Sequence, residues 1–318
     1  MIWLDIAFWA SLLSSAIRLS TPLTFAALGG FFSERSGVIN IALEGLMLIG
    51  AFAAAWGNLY FESSFVGVVL AMVVSMVVAS LHAWACVRFK ADQIVSGMAI
   101  NILTFGLAPM LSKALYGTRG SSPQIPESIH MEEWSIPILR DIPLIKEVLG
   151  HHIPLVYVAI LCVIATHYWS KKTALGLHHR AVGEHPEAAD SLGIHVNRMR
   201  WFSVMVSGAM CGLAGAFLSI GHGSGFARNM TSGRGYIALT AMIFGKWKPI
   251  PTFLACLLFG FTDALQIRMQ GTPLPYLGEI PPQFIQILPY VVTMVVLAGF
   301  IGTARSPKAL GIPYVKER

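Results

Sequence analysis

The sequence predicts an all-α protein, a polytopic transmembrane helical bundle of about 8–10 spans that forms one domain over residues 1–318. Two observations carry this reading. Of the 318 residues, 55% are hydrophobic types and only 12% are charged. A soluble domain carries about 25% charged residues. This chain therefore has too few charges to cover a body of its size in water, whereas lipid tolerates an apolar exterior. The apolar residues also form long continuous runs, near the ~20 residues that a helix needs to cross a bilayer. They do not alternate with period two, so they do not fit the strands of a transmembrane barrel.

Nine runs read as spans, in chain order 6–29, 38–56, 65–87, 94–111, 153–169, 201–220, 236–245, 252–267 and 284–301. The first ten residues carry no basic segment and read as the start of the first span, not as a cleaved signal. The seventh run is too short to cross alone. It either starts earlier, near Phe226, or belongs to a broken helix. The glycines of Gly221-His222-Gly223-Ser224-Gly225 before it disfavour a regular helix, and the stretch reads as a hinge or re-entrant loop. It superficially suggests a serine nucleophile, but a Gly-x-Ser-Gly motif would need glycine where His222 stands. Cys86, Cys162, Cys211 and Cys256 sit in or at the ends of apolar runs, with no CxxC pair, and read as small core residues and not as metal ligands.

Lys and Arg orient the spans. With residues 171–200 placed in the cytoplasm, fourteen of them fall in inner segments and six in outer ones. Arg18 and Arg268 lie within spans. The C-terminus is then inside and, with nine spans, the N-terminus outside, in a multi-pass protein of the bacterial cytoplasmic (inner) membrane. This topology accounts for the net charge of +6. No aromatic-interleaved basic patch points to nucleic acid.

The inner loop 171–200 carries the most information. In Arg180-Ala181-Val182-Gly183-Glu184-His185-Pro186-Glu187-Ala188-Ala189-Asp190-Ser191-Leu192-Gly193, Pro186 suits the first turn of a helix, where its missing N–H is not needed. Glu187 suits the positive end of the helix dipole. Ala188 and Ala189 favour the helix, and Gly193 can take the left-handed conformation that ends it. The loop predicts a short helix, too polar to cross.

The arrangement Glu187-Ala188-Ala189-x-x-x-Gly193 resembles the coupling loop of ABC importer permeases, whose short helix docks on the ATPase subunit. Four further blocks extend the resemblance. They are residues 31–45 (FFSERSGVINIALEG), 207–216 (SGAMCGLAGA), 233–239 (GRGYIAL) and 259–266 (FGFTDALQ). Together the five resemble the permease family that serves simple sugars and nucleosides (ribose- and guanosine-type). The resemblance implies a type II, vitamin-B12-importer-like fold. It also implies a role as the permease subunit of an ATP-binding-cassette importer for a nucleoside, a purine nucleoside first, or a simple sugar. The partners it implies are an ABC ATPase subunit, a second and different permease subunit, and an extracytoplasmic substrate-binding protein. It assigns Glu184, Pro186, Glu187, Ala188, Ala189 and Gly193 to the ATPase-coupling helix. No phosphate-binding loop is present, since Gly245-Lys246 is followed by Trp247. ATP and Mg are therefore expected on the partner ATPase, with no cofactor, metal or catalytic residue in this chain.

Ionisable residues within spans are costly and suggest function. Glu44 and Asp263 stand out, with Asn40, Asn101 and Gln266 as polar companions. They either line the translocation path or brace neighbouring helices, and Arg18 is a candidate partner for Glu44. The competing reading is a proton- or ion-coupled secondary transporter of a small polar solute that uses Glu44 or Asp263 as carriers. A docking helix distinguishes the two, because a secondary carrier has no need of one. Gly208-x-x-x-Gly212 is a small-xxx-small pattern, read as internal packing. Ile41-Ala42-Leu43 and Ile237-Ala238-Leu239 hint faintly at inverted repeats.

Overall fold

The computed structural model describes residues 6–118, 120–135, 146, 148–270, 285, 287, 291–292, 294–295 and 305–316. Its helices are α1 (Ile6–Arg35), α2 (Leu43–Phe61), α3 (Ser64–Ala83), α4 (Gln93–Tyr116), α5 (Pro154–Lys172), α6 (Ala174–Glu184), α7 (Pro186–Ser191), α8 (Val196–Ala216), α9 (Arg234–Phe244) and α10 (Pro249–Met269). Wider π turns prolong α3 through Trp84–Arg88 and α8 through Phe217–His222. A two-stranded ribbon pairs β1 (Trp134–Ser135) with β2 (His151–His152). The protein is thus a polytopic helical bundle. Among the described residues, five helices are long and apolar enough to cross a membrane by length and composition. The ninth expected span, 284–301, lies almost wholly outside the described residues.

Local chemistry explains many of the helix ends. The Asp92 side chain accepts from Ile94 N and Val95 N, each at 2.9 Å, and so starts α4. Gly117 ends that helix at φ +73°. Pro154, Pro186 and Pro249 each open a helix, where proline costs nothing.

The bundle is built around α2, which is buried at every residue from 43 to 55. Helices α3, α4 and α8 pack on it, α8 lies against α3 and α1, and α10 flanks α1. Glycine makes these approaches possible. A Cβ on Gly208 would lie 2.6 Å from Ala79 Cβ, and one on Gly212 would lie 2.8 Å from Met72 Cα. The small-xxx-small pattern is therefore used for packing against α3, inside the chain.

Two boundaries differ from expectation. Helix α1 runs six residues past Gly29, because α5 and α6 cover its end: Phe32 packs on Trp169 at 5.2 Å and on His179 at 6.1 Å between ring centroids. Helix α2 begins at Leu43 and not Val38, because side chains claim the polar backbone groups of residues 36–42. The short seventh run is α9, which starts at Arg234; the alternative start near Phe226 is not found. Residues 223–233 are non-helical and are stitched to residues 120–130, as in Ser122 N→Phe226 O at 2.9 Å and Ile125 N→Ser224 O at 2.8 Å.

Candidate functional site

Residues 36–42 form a non-helical segment between α1 and α2, buried among other helices. Non-helical backbone is tolerated at membrane depth only where the protein itself satisfies it. Here α1, α3 and α4 do so, and α8 holds the Asn40 side chain. Ile39 N donates to Gln93 Oε1 on α4 at 2.7 Å, and Ile39 O meets His82 Nε2 on α3 at 2.9 Å. Ser33 Oγ donates to Val38 O at 2.8 Å. Asn40 Nδ2 donates to Ser207 Oγ on α8 at 2.9 Å, while its Oδ1 accepts from Ala42 N at 3.1 Å. Asn101 on α4 donates to Ile41 O and to Tyr236 Oη, each at 3.0 Å, and accepts from Gly45 N at 2.8 Å.

Glu44 completes this node. Its Oε1 accepts from Gly233 N at 2.7 Å and its Oε2 from Gly235 N at 2.5 Å. The first N–H groups of a helix have no partner within it, and its N-terminus attracts negative charge. Glu44 therefore caps α9 from a neighbouring helix. Gly235 permits the approach, since a Cβ there would lie 2.5 Å from Glu44 N. At the other end of α9, Trp247 Nε1 donates to Glu34 Oε2 at 2.7 Å. An 11-residue helix is about 16 Å long. Glu44 and Glu34 thus hold opposite ends of the α9 region, and residues 36–42 connect their helices without forming a helix. An interrupted helix facing the N-terminus of a short one at the same level is a construction found in transporter pathways.

Asn40, Glu44 and Asn101 thus come together. Asp263 and Gln266 do not join its hydrogen bonds among the described residues; both lie on α10, half-buried, and Asp263 is within electrostatic reach of Arg234, the first residue of α9. Arg18 forms no ion pair with Glu44, whose two oxygens are occupied by α9. Sequence reasoning missed His82, Gln93, Ser207, Tyr236, Gly233 and Gly235. A signal was available. Ser36-Gly37 and Ile41-Ala42-Leu43 recur at one constant offset as Ser232-Gly233 and Ile237-Ala238-Leu239. Both glycines take positive φ, +97° and +82°, and each precedes a helix that starts at the node.

At the far end of α1 a second constellation gathers. Helix α7 opens with Pro186, and Gly193 ends it at φ +83°, closing with Ile194 N→Ala189 O at 3.0 Å. Ala189 is buried with Val182 and Val196, while Glu187, Ala188 and Gly193 are exposed. Glu184 pairs with Arg35 at 3.1 Å. Helix α6, not foreseen from the sequence, starts with Gly176 N→Thr173 Oγ1 at 3.1 Å. His179 on α6 is fully buried and bonds Phe32 O through Nε2 at 2.8 Å. Burial pushes its pKa down to about 4, even with that bond opposing the shift.

The chain's last described residues strap these parts together. Ala309 N donates to Gly183 O at 2.9 Å, Gly311 N to Gly37 O at 3.1 Å, and Arg200 Nη1 to Ile312 O at 2.9 Å. Lys316 reaches Asp190 on α7 at 3.1 Å. One short non-helical segment thus touches α6, α7, α8 and the residues that lead to the node.

Residues 12–297 match the family described as branched-chain amino acid transport system / permease component. The chain is 42% identical to the guanosine ABC transporter permease protein NupQ of Bacillus subtilis, with 94% of each chain covered. It is 38% identical to the nucleoside ABC transporter permease protein NupC of Lactococcus lactis, covering 96% of this chain and 97% of the other. It is 32% identical to a putative glucose ABC transporter permease protein, TsgC13, of Haloferax volcanii, over 98% and 99%. No solved structure matches it significantly.

Proposed function

The chain belongs to the branched-chain amino acid transport system / permease component family, and from that premise we propose that it is the membrane-spanning subunit of an ATP-binding-cassette importer for a nucleoside, a purine nucleoside first. It is a multi-pass membrane protein and a transport subunit, not an enzyme. The similarity to two nucleoside permease proteins over nearly the whole chain carries the substrate class. A simple sugar is the second candidate, because the Haloferax volcanii relative is named for glucose.

The partners and the finer fold follow from this reading. We assign the bundle to the type II permease class, as one domain with its coupling loop at residues 171–200. That loop lies in the cytoplasm with the C-terminus, and the N-terminus lies outside, in the cytoplasmic membrane. The protein works with an ABC ATPase that binds ATP and Mg, a second permease and an extracytoplasmic binding protein. The observation that carries the ATPase contact is the exposed edge of α7. Glu187 and Ala188 face outward while Ala189 anchors the helix, and Leu192 beside them is 81% exposed. Leu192 borders an apolar groove with Leu177, Met199 and Phe202, and an uncovered apolar patch of this kind supports a contact.

The ion-coupled carrier reading finds less support. Both oxygens of Glu44 serve as caps for α9 and are not free to shuttle a proton.

The test has two parts. Purification of the chain in mild detergent is expected to recover an ATPase, a second permease and a binding protein, and the last is then screened against nucleosides and sugars. Repeated recovery of the folded chain alone would sink the proposal. Ala188→Trp, which places its bulk in solvent, is expected to leave the chain in the membrane and abolish ATP-driven uptake. Normal uptake by that variant removes α7 from the coupling role.

A further inference from the structure

Helix α4 carries a cavity that the node does not use. It has a volume of about 350 Å³ and is lined by Phe105, Gly106, Pro109, Met110, Lys113 and Arg228. That is the small end of the ~300–1,000 Å³ range of ligand sites. Phe105 lies four residues beyond Asn101, so the cavity begins one helical turn, ~6 Å, from the Asn101–Tyr236 contact of the node. Phe105 is half-buried beside the node, whereas Gly106 and Met110 are exposed, so the cavity is an open groove on the outer face of α4 that begins next to the node.

Its chemistry is built by three local features. Gly106 leaves the groove open: it is exposed, and a Cβ there would meet nothing within 4 Å. Pro109 has no N–H, so the carbonyl of Phe105, four residues before it, has no helical donor and is available as an acceptor. The half-buried Phe105 ring supplies a stacking face, and Met110 a soft apolar wall. At the rim, Lys113 and Arg228 are exposed donors, and neither is in an ion pair among the described residues. The backbone of Arg228 is held by Arg228 N→Gly120 O at 2.5 Å, which fixes that wall.

We propose that this cavity is a subsite at which the transported nucleoside rests on its way from the binding protein to the node. The base stacks on Phe105 and gives an N–H to the freed Phe105 carbonyl. The sugar hydroxyls accept from Lys113 and Arg228. A planar ring that carries donors and acceptors uses every element of the cavity, whereas a sugar alone would use the aromatic face and the rim donors but has no planar N–H edge for the freed carbonyl. This inference rests on the importer reading above and adds to it the residues that read the solute.

The test uses the complete importer in proteoliposomes, with uptake of a radiolabelled nucleoside measured against concentration. Gly106→Leu fills the cavity from a position with open space around it, and it replaces a helix-weakening residue, so the chain is expected to fold. Uptake is expected to fall at least ten-fold, with the second permease and ATPase still co-purifying and the binding protein still docking. Phe105→Leu, which keeps bulk but removes the ring, is expected to raise the half-saturating concentration on the order of ten-fold. Unchanged uptake in Gly106→Leu overturns the proposal. So does loss of the second permease or of binding-protein docking in that variant, because the cavity is then a protein contact. A parent complex that carries sugar but no nucleoside overturns the substrate class itself, and that result is read before any variant is made.

Discussion

The node around Glu44 and the face around α7 differ in one respect that separates their roles. At the node the chain satisfies itself. Asn40, Glu44 and Asn101 are each at most 3% exposed, and every one is hydrogen-bonded to another element. The α7 face is left open. A groove of about 870 Å³ there is lined by apolar side chains that include Leu177, Leu192, Met199 and Phe202. A saturated polar cluster holds backbone in place, while an apolar surface without cover marks a contact to be made. On the proposed importer reading the first region would be a fulcrum and the second a handle. The strap of residues 305–316 joins them, since it touches both Gly37 and Asp190.

Breaking the fulcrum has the largest expected effect. Glu44→Leu strands the buried N–H of Gly235 and the part-buried N–H of Gly233, each worth at most ~1–3 kcal/mol, so a loss of up to roughly 6 kcal/mol is expected. Thermal inactivation of the detergent-solubilised chain would measure it. Glu44→Gln keeps one acceptor and is expected to lose about half as much. Equal stability of both variants and the parent would show that α9 does not depend on this cap.

A smaller effect sharpens the contrast from the α6 side. His179 stays neutral in the folded chain down to about pH 4, whereas an unperturbed histidine protonates near 6.5. Between those values the unfolded state binds the extra proton. The contribution of His179 is therefore present above pH 6.5 and is lost as pH falls toward 4, by at most about 3 kcal/mol. His179→Gln, which retains a donor for Phe32 O, is expected to flatten the fall in melting temperature over that range. An identical pH profile in both proteins refutes the assignment.

The smallest change is expected at the strap's outer end. Hydrogen bonds, led by that from Lys316, hold the Asp190 carboxyl below the usual carboxylate range. The Lys316 side chain is nonetheless 68% exposed, and such pairs contribute little. Lys316→Ala is expected to change uptake by no more than about two-fold. A complete loss of coupling would move the handle's anchor from the backbone bonds of residues 309–312 to this one ion pair.

Much of this architecture was legible without coordinates. Eight of the nine expected spans correspond to helices, because a run of apolar residues near twenty long has few other stable states in lipid. The start and end of α7 were legible too, since proline at a first turn and glycine at a left-handed end act within their own few residues. Glu44 as a brace was one of two readings, and Asp263 carried the same signal of charge within a span, yet they ended in different places. Only the tertiary structure separated them. Glu44 meets Gly233 across 189 positions, and Asn101 meets Gly45 across 56. Composition and periodicity establish which segments become helices, because those forces act within a turn or two. Which polar group satisfies which buried N–H depends on how the finished helices face one another, and that was decided by the packing of α2 among its neighbours.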